Sequence, residues 1–187
     1  MRANSMAQWT PESFVQQILE WDAEPPNAGY AHFEFVGEIA LTLTDIPSFA
    51  DAVVSGLPAT FAHRVLEHLH DAAPASFDVQ STSTLISRGH DIGSAASVAQ
   101  FLISRLAVTP DAMLSRLFDL IRDTTDNRLV DQYSYACWTI VCGETLLLRE
   151  NKTVGCLTNV DPSVLDDVLA LPHLSDYARE TLTECKR

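Results

Sequence analysis

The nine prolines of this 187-residue chain constrain its fold more than any other feature. Proline has a fixed φ and no amide hydrogen, so an α-helix accepts it in the first turn and breaks at it elsewhere. In Thr10-Pro11-Glu12 the threonine hydroxyl can accept an orphan N–H, Pro11 has no N–H to lose at the first helical position, and Glu12 meets the positive end of the helix dipole. Phe14, Val15, Ile18 and Leu19 follow at helical spacing, flanked by Trp21, until Pro25-Pro26, which predicts a helix over 11–23. Thr109-Pro110-Asp111 repeats the same start and leads into Met113, Leu114, Leu117, Phe118 and Ile121. Asp161-Pro162 opens a helix carrying Val164, Leu165, Val168 and Leu169 that Pro172 ends, and Ser175 caps a last one with Tyr177, Ala178 and Leu182.

Between these starts the same logic places a short helix from Ile46-Pro47 to Gly56. Another follows Leu57-Pro58, ends before Pro74, and has Phe61, Ala62, Val65, Leu66 and Leu69 on one face. Val98, Phe101, Leu102 and Leu106 predict a helix over 95–107. Residues 129–148 are the most apolar stretch and are expected to form the central helix of the core, with Gly143 as a kink point. Residues 31–45 read two ways: Phe33, Val36, Ile39, Ala40 and Leu43 fit a helix, while Phe33, Phe35, Ile39, Leu41 and Leu43 alternate as in a strand. Helical neighbours on both sides favour a helix, with a small β insertion at 31–45 as the alternative. Residues 74–94 are rich in Ser, Thr, Asp and Gly and are expected to be a long functional loop or a stray strand, and the place of any internal boundary. The expectation is a mostly all-α single helical domain over 1–187, an irregular helical bundle or a short HEAT-like α-solenoid. Asp176 to Leu182 resembles the second-helix pattern of HEAT repeats over seven residues.

Apolar residues make up 47% of the chain and charged residues 20%, which sets it apart from disordered tails and membrane proteins. No apolar run reaches the ~18 residues needed to cross a bilayer, and the opening Met1 to Met6 leads into polar sequence rather than a signal-peptide core. A cytoplasmic protein is expected, with Met6 as a second available start. Cys137, Cys142, Cys156 and Cys185 match neither a zinc spacing nor a dense disulfide framework and are expected to be reduced, mostly buried thiols. Cys137 and Cys142 sit in an apolar run that would raise the thiol pKa and oppose a nucleophilic role.

The charge is acidic and unevenly spread. Twelve basic residues face 25 acidic ones, for a net −13 and a pI near 4.6, which opposes direct binding to nucleic acid and favours a basic partner. Residues 1–80 hold 2 basic and 11 acidic side chains, net −9, and residues 81–187 hold 10 and 14, net −4. Between Arg2 and Arg64 there is no lysine or arginine, while Glu12, Glu20, Asp22, Glu24, Glu34, Glu38, Asp45 and Asp51 are all acidic. Such asymmetry costs compact-state stability by self-repulsion, so it reads as a solvated face kept for solubility or as a surface meant for a basic protein. The second reading makes Glu12, Glu20, Asp22, Glu24, Glu34 and Glu38 the partner-binding residues, with Trp9, Trp21 and Tyr30 nearby as aromatic contacts unless they belong to the core. In architecture and charge the chain resembles the immunity proteins of bacterial toxin systems. That resemblance implies an inhibitor occluding the basic surface of a toxin or nuclease, and the preference for Arg over Lys with many alanines suggests a high-GC bacterial source.

One pattern points to catalysis instead. His63, His90-Asp91 and then Asp123, Asp126 and Asp131 come in an order similar to the H…HD…D pattern of HD-family metal phosphohydrolases. The resemblance implies a divalent metal held by His63, His90, Asp91 and Asp126 or Asp131, lowering the pKa of a bound water beside a phosphoryl group. The sequence departs from that family in Gly89 just before the histidine, which reads as a turn, and in Ser94 where a lysine follows the glycine. His63, Glu67 and His70 form a second group at i, i+4 and i+7, expected to face solvent as a hydrated helix face or a surface metal site. His32, His68 and His173 have no recognisable partner in sequence. Arg88, Arg105, Arg116, Arg122 and Arg128 can bind an anion or form helix-surface ion pairs, Asp119 standing three residues before Arg122. No G-x-S-x-G, P-loop or G-x-G-x-x-G is present, and no cofactor is implied.

Overall fold

The computed structural model describes residues 9–22, 29–142 and 159–186, the side chains of 22 and 29–34 excepted. Among them are ten α-helices: α1 Pro11–Asp22, α2 Gly29–Ala40, α3 Ile46–Gly56, α4 Ala59–Ala72, α5 Val79–Ser83, α6 Ser94–Arg105, α7 Pro110–Asp123, α8 Asn127–Cys142, α9 Pro162–Leu169 and α10 Asp176–Glu184. The fold is all-α, with no strand among the described residues. The capped starts behave as their chemistry dictates. Thr10 Oγ1 accepts from Ser13 N at 3.2 Å, Thr109 Oγ1 from Ala112 N at 3.3 Å, Asp161 Oδ1 from Ser163 N at 2.9 Å and Ser175 Oγ from Ala178 N at 3.0 Å.

The β alternative at 31–45 is overturned, because α2 runs to Ala40 and residues 41–45 are turn and irregular chain. The reason is visible in what is buried: Val36 and Ala40, four residues apart, lie in the core, while Phe35 and Leu41 stay 53% and 72% exposed. Residues 74–94 likewise hold no strand. Two 3₁₀ turns, Pro74–Ser76 and Thr84–Ser87, flank α5, and Phe77, Leu85 and Ile86 from this segment are buried in the same apolar cluster as the longer helices. Residues 143–158, with Gly143, Cys156 and the last turns of the expected 129–148 helix, lie outside the described residues.

Packing follows chain order at first, with α1 on α2 and α3, then α2 and α3 on α4, and α4 on α6. α8 lies against α6, α7 and α10 and buries Val130, Tyr133, Ala136, Cys137, Ile140 and Val141, so its role as the central helix holds. Each large side chain that is fully buried here, such as Phe14, Phe101 or Ile121, contributes about 1.5–3 kcal/mol relative to exposure. Gly56 lets α3 approach α1, since a Cβ there would stand 2.8 Å from Val15 Cγ1. No helix among the described residues is long and apolar enough to cross a membrane.

Candidate functional site

Of the six acidic residues assigned to partner binding, Glu12 and Glu20 on α1 and Glu38 on α2 are exposed. Glu20 accepts from Gln16 Nε2 at 3.1 Å and Gln17 Nε2 at 3.5 Å, neutral partners that leave its charge uncompensated. Asp22 and Glu34 lie on α1 and α2 with side chains outside the described set, and Glu24 lies outside the described residues altogether. Asp45 is exposed and caps α3 through Ser48, and Asp51 pairs loosely with Arg88 at 3.5 Å, an exposed contact of little energetic weight. Trp9 and Trp21 are half-buried against the core, Trp9 edge-on to Phe14 at 6.4 Å and Trp21 tilted against Phe35 at 6.4 Å. Among the described side chains of this region the large exposed apolar groups are Phe35 and Leu41, which the sequence offered only as members of a strand-like alternation.

The HD-like set is not brought together. His63 is buried on α4, His90 is exposed in a turn, and Asp126 lies at the start of α8, where its carboxylate accepts from Arg128 N at 2.9 Å. Asp131 accepts a short hydrogen bond from Ser175 Oγ. Among the described residues no group of three or more His, Cys, Asp or Glu side chains is placed to hold a metal ion. Asp91 has different work: Oδ2 accepts from Ala59 N at 3.0 Å, capping α4 from a distance, and Oδ1 accepts from Gly93 N at 3.1 Å and Ser94 Oγ at 2.9 Å, shaping the start of α6. Pro58, the residue before α4, has no side-chain donor or acceptor to offer, so the cap comes from 32 residues away. Gly89 belongs to the same junction. Its carbonyl accepts from Gln132 Nε2 at 3.2 Å and from Arg128, and a Cβ on it would stand 1.8 Å from Ser94 Cβ. The Gly89-His90-Asp91 stretch is thus a joint between three helices.

The expectation that His63 and Glu67 face solvent is overturned. They are 4% and 8% exposed, because α4 is covered on two sides, by α2 and α3 and by α6, and its buried arc is wider than one apolar stripe. His63 Nδ1 lies 3.4 Å from Ser97 O, its Nε2 lies 3.8 Å from Glu67 Oε1, and Glu67 accepts from Arg105 Nη2 at 3.1 Å. Arg105 reaches Asp71 at 3.4 Å, and His70 packs between the rings of Phe77 and Phe101, each at 5.7 Å. The carboxylate is neutralised by a guanidinium as it is buried, so the group ties α4 to α6. His173 also finds a partner, its Nε2 lying 2.8 Å from Ile121 O, and Arg122 pairs with Asp119 at 2.9 Å as its spacing predicts.

A further candidate, missed in the sequence, is an open groove between α8 and α10. Its walls are Tyr135 and Trp138 on α8 and Tyr177, Glu180, Thr181 and Glu184 on α10. The α8 rings stack on each other at 5.8 Å and 24°, and Trp138 Nε1 donates to Glu184 Oε2 at 2.8 Å. On α10 the four wall residues stand at i, i+3, i+4 and i+7, while Ala178, Leu182 and Cys185 turn into the core. That spacing is the one sequence signal that would have suggested a second functional stripe.

Neither the Cys137 nor the Cys185 thiol is poised as a nucleophile. Burial pushes Cys137 well above the ordinary thiol value, and burial also pushes Cys185 up to about 12, with Cys142 and Glu184 adding repulsion. Comparison with known proteins finds no matching family model, no matching curated protein and no matching solved structure.

Proposed function

We propose that this chain is an acidic protein-binding module that acts without a cofactor, its most specific form being a cytoplasmic immunity-type inhibitor that occludes the basic surface of a bacterial toxin or nuclease. The irregular bundle or short HEAT-like solenoid supplies a rigid frame for that surface. The observation that carries the reading is the exposure of Glu12, Glu20, Glu38 and Asp45 on or beside α1–α3, in a stretch with no lysine or arginine between Arg2 and Arg64. A field of one sign speeds encounter with an oppositely charged partner and selects against anionic ones. Phe35 and Leu41, exposed beside these carboxylates, add the apolar contact that charge alone does not supply.

The test compares the wild type with a Glu12→Lys, Glu20→Lys, Glu38→Lys variant of unchanged helicity, both used to capture partners from lysate of the source cell. The reading expects one basic protein whose affinity falls about 100-fold in the variant and declines with salt. A partner captured equally by both proteins would overturn it.

A further inference from the structure

The groove between α8 and α10 combines groups whose joint chemistry is specific. Tyr135 and Trp138 present a stacked pair of rings, Tyr177 stands 39% exposed on the opposite wall, and Glu180 is exposed beside it. Glu184 accepts from the Trp138 indole N–H through Oε2, which fixes the carboxylate beside the rings. Among the described residues no lysine or arginine lines the groove. The described cations of α10 and its C-terminal end are turned elsewhere: Arg179 donates to the carbonyls of Leu169 and Leu171, and Lys186 pairs with Asp166. Glu180 and Glu184 have no ion-pair partner among the described residues.

Ring faces carry negative charge and so do the two carboxylates, so the groove attracts a cation that is also flat enough to lie on a ring. A guanidinium meets both requirements: it stacks on tyrosine and tryptophan, is weakly hydrated, and offers a planar fork of N–H donors to a carboxylate. An ammonium is a compact, strongly hydrated point charge and loses the stacking part. We propose that this groove receives an arginine side chain from a basic protein partner, as a second contact separate from the carboxylates of α1–α3. The identity of the occupant as part of a protein rests on the partner-binding reading; the cation specificity rests on the groove alone.

The experiment titrates ¹⁵N-labelled full-length protein with an acetylated and amidated Gly-Arg-Gly-Arg-Gly peptide and follows the Trp138 indole N–H resonance, assigned with Trp138→Phe. Matched lysine and citrulline peptides serve as comparisons. A saturable shift is expected with the arginine peptide, several-fold weaker affinity with lysine and none with citrulline. Glu180→Gln with Glu184→Gln keeps an acceptor for the indole and should weaken the arginine peptide at least tenfold. Absence of a saturable shift, equal response to lysine or citrulline, or an unchanged affinity in the double glutamine variant would each overturn the proposal. A Trp138 shift that grows with protein concentration alone would assign the groove to a second copy of this chain and would also overturn it. The Glu12, Glu20 and Glu38 lysine variant should bind the peptide at this groove as the wild type does. Loss of the basic partner in that variant with retained peptide binding, or the reverse, therefore separates the two readings.

Discussion

In α1–α3 the carboxylates of Glu12, Glu20 and Glu38 stand exposed in a stretch with no lysine or arginine of its own, whereas in and around α8–α10 several charged groups have specific partners. There Asp131 is held by Ser175, Lys186 by Asp166, Arg179 by two carbonyls and Glu184 by the Trp138 indole. The first region has field without shape, and the second has less net charge but a groove that joins charge to rings. Net charge locates an attractive surface, while selectivity for one cation needs carboxylates fixed beside a flat apolar wall.

Phe14 is fully buried and edge-on to Phe49 at 5.5 Å, joining α1 to α3, so the frame that carries the acidic face depends on it. Phe14→Ala should cost about 3–5 kcal/mol in urea unfolding followed by tryptophan emission. A loss under about 1 kcal/mol would mean that α1 is not part of the cooperative core. Next comes the joint. Asp91→Ala removes the remote cap of α4 and should cost about 1–2 kcal/mol, whereas His90→Ala, at an exposed turn, should stay within about 0.5 kcal/mol. Equal and large losses in both, restored by added divalent metal, would revive the metal reading.

A smaller effect sharpens the contrast in charge. Raising salt from about 20 to about 500 mM, roughly a fivefold shortening of the Debye length, should stabilise the protein by about 1 kcal/mol through screening of self-repulsion. The gain should shrink in a Glu12→Gln, Glu20→Gln, Glu38→Gln variant and persist in Glu180→Gln, as read from urea midpoints. A further effect is alkaline. Because the folded-state pKa of Cys185 is raised to about 12 by burial, the folded protein keeps a proton that the unfolded chain releases above about pH 9. Stability from this group is complete below that pH and is lost as pH rises toward 12, so Cys185→Ala should flatten the fall of the urea midpoint over that window. An unchanged slope would contradict the burial of this thiol.

Local chemistry made much of the fold legible. Thr10, Thr109, Asp161 and Ser175 cap the helices that their own sequence announces, because a cap needs only the next three residues. The period of α2 was ambiguous because both templates place Phe33, Ile39 and Leu43 on the apolar side, and only Val36 and Ala40 against Phe35 and Leu41 decide it. What was not legible depends on partners distant in the chain. His63 and Glu67 are buried because α6 covers a second side of α4, and Asp91 is a structural cap because it meets Ala59 N from 32 residues away. The groove is of the same kind, since Trp138 and Glu184 are 46 residues apart and the stacked ring pair and the carboxylates come from different helices.

The central claim, a basic protein partner held by the carboxylates of α1–α3, is tested most directly by the affinity of the captured partner for wild type and for the Glu12→Lys, Glu20→Lys, Glu38→Lys variant across salt concentrations. The expected affinity falls with salt in the wild type and is about 100-fold weaker, with a flatter salt response, in the variant. Equal affinities with equal salt dependence would contradict it.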